Sequence, residues 1–142
     1  MPKSVRKLKV AKDAKRVHDV LMRKLVAFNQ DKVGSGMKWK VLALEMQGPK
    51  KELLGGLYGG TYWGWAYIEL LWVDEKVRGT KVGESLVREA EKIAKQRGCH
   101  HGFLNTFSFQ APGFYKKLGY KVFGKISDFP KGHTRMWLSK AL

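Results

Sequence analysis

The sequence predicts an α/β (α+β) fold in one domain spanning residues 1–142, a mixed sheet with helices on its faces. Three observations predict it. Strand-like and helix-like segments alternate along the chain, with no internal repeat and no low-complexity linker. The run Ala66–Val73 is nearly all apolar, as a central strand covered on both faces would be. A basic, glycine-bearing turn and an amphipathic helix follow it directly.

Residues 4–10 alternate loosely and read as a half-buried strand. Asp13 reads as a helix N-cap. Val17, Val20, Leu21, Leu25 and Phe28 follow at helical spacing, and Gly34-Ser35-Gly36 breaks that helix. Residues 38–46 alternate as a strand, and Gly48-Pro49 begins a turn. Residues 52–58 and 66–73 are two further strands around an aromatic, glycine-rich bend at 59–65. The spacing predicts a helix over about 82–97, with Val82, Leu86, Ala90, Ile93 and Ala94 as its buried face. Glu84 with Arg88 and Glu91 with Lys95 fall at i,i+4, and Gly98 sits at the C-terminal cap. A strand at 101–107 comes next, then a short helix opened by Pro112 and closed by Gly119. Strands at 120–126 and 133–139 end the series.

Lys and Arg number 28 against 12 acidic residues, a formal net charge of +16. Such a surface attracts polyanions, either nucleic acid or a small molecule carrying several phosphates. The basic residues are spread along the chain without a nucleic-acid motif, which makes a nucleic-acid module the weaker of the two. No apolar run reaches the ~18 residues of a membrane span, and no apolar stretch follows the basic N-terminus as in a signal peptide. With one cysteine, Cys99, no internal disulfide forms, and the expected location is cytoplasmic. His100 and His101 find no further His or Cys at a metal-ligand spacing, so no metal is expected.

Two segments carry chemistry. In the first, the strand 66–73 leads through Arg78-Gly79-Thr80-Lys81-Val82-Gly83 into a helix. A helix start offers unpaired N–H groups and a partial positive charge, and glycine lets an anion approach the backbone. Glycine turns before helices are common, so this spacing alone also fits a solvated basic turn. In the second, residues 108–120, a short helix carries Phe114 and Tyr115. A tyrosine hydroxyl, with a reference pKa of ~10, can protonate a departing thiolate, whose thiol reference is ~8.5. Taken singly, Tyr115 reads equally as a core aromatic.

Together these segments resemble the GNAT superfamily of N-acetyltransferases. The family's loop pattern is Gln/Arg-x-x-Gly-x-Gly/Ala, placed between the fourth strand and its helix. Arg78, Val82 and Gly83 follow it, and Lys81 stands where the family usually has glycine. The family's second pattern, Phe/Leu-Tyr-x-x-x-Gly-Phe/Tyr, is met in full by Phe114-Tyr115-Lys116-Lys117-Leu118-Gly119-Tyr120. Ser108 holds the place of an asparagine common seven residues before that tyrosine.

The resemblance implies a mostly antiparallel six- to seven-stranded sheet with splayed central strands and about four helices. It implies acetyl-CoA as co-substrate, its diphosphate on Arg78, Gly79, Thr80, Lys81, Val82, Gly83 and Glu84, its pantetheine arm along Trp72 and Val73, Ser108 hydrogen-bonding the cofactor and Tyr115 beside its sulfur. Tyr115 would protonate the thiolate during direct transfer in a ternary complex. A base is also needed, because an ammonium has no lone pair. Glu69 is the candidate, the only charge within 66–73; a carboxylate there is expected to be partly desolvated, or else to pair across the sheet. Trp63, Trp65, Tyr67 and His133 are candidate acceptor-site residues, although core packing or a homodimer contact would use Trp63, Trp65 and Tyr67 equally well and His133 also reads as a surface histidine of the loop before the last strand. The cationic surface favours a small neutral or anionic amine over a polycation or a protein as acceptor.

Overall fold

A computed structural model describes residues 5–34 and 38–142. The chain divides into two compact units, Met1–Gly36 and Met37–Leu142.

The first unit is built on helix α1, Ala14–Val33. Its start is fixed as expected: the Asp13 carboxylate accepts the N–H of Arg16 at 2.9 Å. Gly34, at φ 84°, ends it. Val17 and Val20 are half-buried, whereas Leu21, Leu25 and Phe28 of the same stripe are exposed. The strand expected over 4–10 is not found: residue 4 lies outside the described residues, and 6–10 have no regular structure. Loose alternation is not enough, since a strand exists only where a neighbour accepts its ladder of hydrogen bonds.

The second unit is a six-stranded sheet of β1 Lys40–Gln47, β2 Leu53–Tyr62, β3 Trp65–Val73, β4 His101–Phe107, β5 Lys121–Ser127 and β6 Thr134–Ala141. Their order is β1-β2-β3-β4-β6-β5, and only β3 and β4 pair in parallel. Helix α2, Val82–Gln96, crosses over between those two strands, and α3, Pro112–Lys117, links β4 to β5. The described residues therefore hold three α-helices, one fewer than expected, with a 3-10 turn at Glu75–Val77. No helix among them is long and apolar enough to cross a membrane.

The parallel pairing of β3 with β4 stops at Ile68 and Leu104, although both strands continue. That is the expected splay. A bulge sits at the same level. Tyr58 of β2 faces Leu70 and the next residue, Gly59, faces Ile68, so Glu69 has no partner across the strand. At Gly59 the backbones come so close that a Cβ would lie 1.9 Å from the Tyr67 carbonyl oxygen, which only glycine permits.

The extra residue also reverses the alternation of β3. Ala66 and Ile68 point into the core before the bulge, and Leu71 and Val73 pack against it after. Leu70 and Trp72 are left 63% and 48% exposed. The apolar run 66–73 is thus a one-sided strand with a phase change, not a strand covered on both faces.

The core joins Leu42, Leu57, Ile68, Leu104 and Leu138 of the sheet to Leu86, Val87 and Ala90 of α2 and Tyr115 before the Leu118 turn. Of the predicted α2 face, Leu86, Ala90 and Ala94 are buried, and Val82 and Ile93 partly so. Glu91 does not pair with Lys95. It turns inward, 2.8 Å from the Lys140 ammonium, and accepts the Tyr120 hydroxyl at 3.0 Å. A buried carboxylate is stable only with such partners.

Candidate functional site

The site begins where β3 ends. Asp74 caps the 3-10 turn by accepting the N–H of Lys76 at 2.8 Å. The Thr80 hydroxyl donates to the Val77 carbonyl, and Arg78 Nε donates to the Val73 carbonyl at 3.2 Å. These local bonds fold the loop back on the strand. Gly79 and Lys81 both take positive φ, 81° and 66°. Lys81, which stands where the family pattern usually has glycine, therefore adopts a left-handed conformation, at ~1–2 kcal/mol for a residue with a Cβ.

Helix α2 starts immediately after. Its first backbone bond runs from Ser85 N to the Lys81 carbonyl at 2.9 Å, and no side chain caps it. The N–H groups of Val82, Gly83 and Glu84 are thus left without a protein partner among the described residues. Their partial positive charge adds to the basic side chains of Arg78 and Lys81.

A cavity of about 800 Å³ opens between the splayed strands. One wall is β3 from Ile68, its last residue paired with β4, to Val73. The floor is the loop and helix start, from Arg78 to Glu84 without Thr80. Asn105 and Thr106 of β4 close the other side, with Phe109, Gln110, Phe114 and Tyr115. Uncapped amides, an unpaired strand edge and a tyrosine therefore share one space. This arrangement fits a ligand with an anionic group at one end and an extended amide arm.

Tyr115 is only 9% exposed, and burial pushes its hydroxyl up to about 12. It stays protonated at neutral pH and so has a proton to donate there. Among the described residues no hydrogen bond occupies that hydroxyl. Glu69 lines the same cavity but is exposed at the bulge, not desolvated as expected, because the extra residue turns it away from the core.

Of the other expected site residues, Trp72, Val73, Arg78, Gly79, Lys81, Val82, Gly83 and Glu84 line the cavity. Thr80 and Ser108 do not. Ser108 Oγ accepts the Thr134 N–H at 3.0 Å, and Ser108 N donates to the Thr134 carbonyl at 2.8 Å, tying the end of β4 to β6. Tyr67 stacks on Phe103 at 4.7 Å and accepts from the cavity residue Asn105 at 3.3 Å. His133 meets the cavity residue Phe109 edge-on at 5.0 Å. Trp63 belongs to the turn before β3, and Trp65 stacks on His101 at 4.6 Å; neither lines the cavity. Cys99 lies with Ala66 and Ala94 in a separate buried cluster, where burial pushes its thiol up.

Sequence reasoning missed Asn105, Phe109 and Gln110. The alternation of β4 held the signal for Asn105, which shares a face with Phe103 while Leu104 and Thr106 are buried on the other. It also missed Arg135, whose guanidinium donates to Asn105 Oδ1 through Nε at 2.9 Å and Nη2 at 2.7 Å.

Residues 22–120 match the model of the acetyltransferase (GNAT) family. A blasticidin-S acetyltransferase from Streptomyces morookaense is 38% identical over 127 residues, 89% of this chain and 93% of the relative. The crystal structure of an acetyltransferase from Bacillus cereus ATCC 14579 superposes with a TM-score of 0.85 at 34% identity, covering 95% of this chain and 98% of that one. The fold is also shared, with a TM-score of 0.65 at 22% identity over 74% of this chain and 64% of the other, by a candidate streptothricin acetyltransferase from Bacillus anthracis str. Ames, solved in complex with acetyl coenzyme A.

Proposed function

This chain belongs to the GNAT acetyltransferase family and is an acetyl-CoA-dependent acetyltransferase, and from that premise we propose that it moves the acetyl group to a primary amine of a small molecule, directly and within a ternary complex. One observation carries the reading: the uncapped start of α2, the free edge of β3 and Tyr115 line one cavity.

Bound there, acetyl-CoA supplies an acyl thioester open to attack by an amine. The N–H groups of Val82, Gly83 and Glu84, with Arg78 and Lys81, would hold its diphosphate. The edge of β3 at Trp72 and Val73 would align the amide arm. Tyr115, whose hydroxyl burial holds in the protonated form beyond the ordinary tyrosine range, donates to the departing sulfur. Glu69, reachable from solvent at the bulge, takes the proton that the ammonium must lose before it can attack. Part of the +16 charge is used at this loop, in keeping with a polyphosphate ligand.

The small-molecule acceptor is supported by the blasticidin-S acetyltransferase that matches nearly the whole chain. Thermal unfolding with acetyl-CoA and thiol release with an amine panel test the proposal. At a hundredfold excess over Kd, binding adds ~2.7 kcal/mol to stability, a shift of several degrees. No shift at millimolar acetyl-CoA would refute the binding mode. Acetylation confined to peptide lysines would refute the small-molecule acceptor, and efficient turnover of spermidine would refute the expectation of a neutral or anionic one.

A further inference from the structure

We propose that Arg135 recognises a carboxylate on the acceptor, so that the preferred substrate carries both an amine and a carboxylate. The inference rests on the transfer activity proposed above and names its substrate class.

Arg135 is half-buried near the start of β6, opposite Phe107 of β4. Three rings surround its guanidinium, Phe129 at 5.0 Å and Phe107 and Trp137 each at 5.2 Å from the central carbon. The rings remove much of its hydration, which strengthens attraction to an arriving anion. No carboxylate pairs with it among the described residues. Its two donations to Asn105 Oδ1 leave three of its five N–H groups without a partner there.

Arg135 does not itself line the cavity, but it is hydrogen-bonded to Asn105, which does, and so sits behind that wall. The Asn105 amide is held at both ends, its oxygen by Arg135 and its nitrogen by the Tyr67 hydroxyl at 3.3 Å. The free edge of a planar, pre-aligned fork suits the two oxygens of a carboxylate. Glu69 lines the same cavity. An acid for an ammonium inside the cavity and a cation for a carboxylate beside its Asn105 wall together make the charge pattern of an amino acid or its homologues.

The test uses matched acceptors: β-alanine, 4-aminobutanoate and lysine, each beside its carboxamide. The wild-type enzyme is expected to favour the best acid over its carboxamide by at least ~10-fold in kcat/KM, mainly through KM. In Arg135→Gln that ratio should fall to within about twofold of unity, with Arg135→Lys between the two. A wild-type ratio near unity, which needs no variant to fold, would overturn the proposal. So would an unaltered preference in Arg135→Gln, because an arginine that only clamps β4 to β6 lowers both rates alike.

A binding arm needs no turnover. Because Trp137 lies against Arg135, 4-aminobutanoate should change tryptophan fluorescence saturably in wild type and not in Arg135→Gln. Absence of a saturable change overturns the assignment of Arg135. Saturation without acetylation of any amine counts instead against the transfer activity, and leaves the carboxylate site standing.

Discussion

Tyr115 and Tyr120 meet edge to face with ring centroids 6.2 Å apart, yet their hydroxyls are held in opposite ways. Tyr120 donates to Glu91 at 3.0 Å inside the core, while Tyr115 lines the cavity with its hydroxyl uncommitted among the described residues. Burial raises both above the ordinary tyrosine value, and the Glu91 charge raises Tyr120 further. Only Tyr115 has its proton available to a ligand.

Tyr115→Phe should therefore lower kcat by ~10²–10³-fold, within the usual range for a lost general acid, while acetyl-CoA affinity changes little. The substitution also has a pH signature. The hydroxyl is neutral in both folded and unfolded chains below pH ~10; between that value and about 12 only the unfolded chain ionises, so stability is lost as pH rises. Relative to wild type, Tyr115→Phe should gain up to ~2–3 kcal/mol across this window, read by urea melts of both proteins. A constant difference from pH 8 to 12 would show that Tyr115 is not held neutral by the fold.

Glu69→Gln should cost ~10–100-fold in kcat/KM near neutral pH, with the deficit shrinking once bulk solvent deprotonates the amine. The residue is exposed, so stability should change by less than ~0.5 kcal/mol. A deficit that stays constant across pH would assign the base elsewhere.

Lys81 is a backbone position as much as a charge. Lys81→Gly relieves the left-handed strain but frees the unfolded chain, so stability should stay within ~1 kcal/mol of wild type. Acetyl-CoA affinity should fall by less than ~10-fold, because the helix amides remain. Lys81→Val, with a branched side chain forced to φ 66°, should lose ~1–3 kcal/mol and bind more weakly than the glycine variant. Equal affinities for the two variants would mean that loop conformation does not set binding.

Glu91→Ala should cost ~3–5 kcal/mol, because it leaves the Lys140 ammonium and the Tyr120 hydroxyl unpaired inside the fold. Acetyl-CoA binding per folded molecule should be unaltered, since Glu91 lies outside the 800 Å³ cavity. Urea melts beside calorimetric titration separate the two. A mild loss of ~1 kcal/mol or less would show the pair to be solvent-screened.

The sequence by itself determined the order and type of the strands and α-helices from Lys40 onward, although β2 and β3 run to a turn at Trp63-Gly64 where a bend over 59–65 was expected; it also determined the helix starts at Asp13 and Pro112, the basic turn before Val82, and Tyr115 on its short helix. These follow from neighbours a few residues apart: caps, turn glycines and side-chain periodicity. Tertiary structure decided the rest. The bulge at Glu69 exists because β2 supplies one residue fewer than β3, which no reading of 66–73 alone could count. Ser108 is taken up by β6, Glu91 reaches Lys140 49 positions away, and Arg135 reaches Asn105 across 30. The physical reason is register: which side chains meet across a sheet depends on how separate strands pair, and a single strand's sequence constrains only its own alternation.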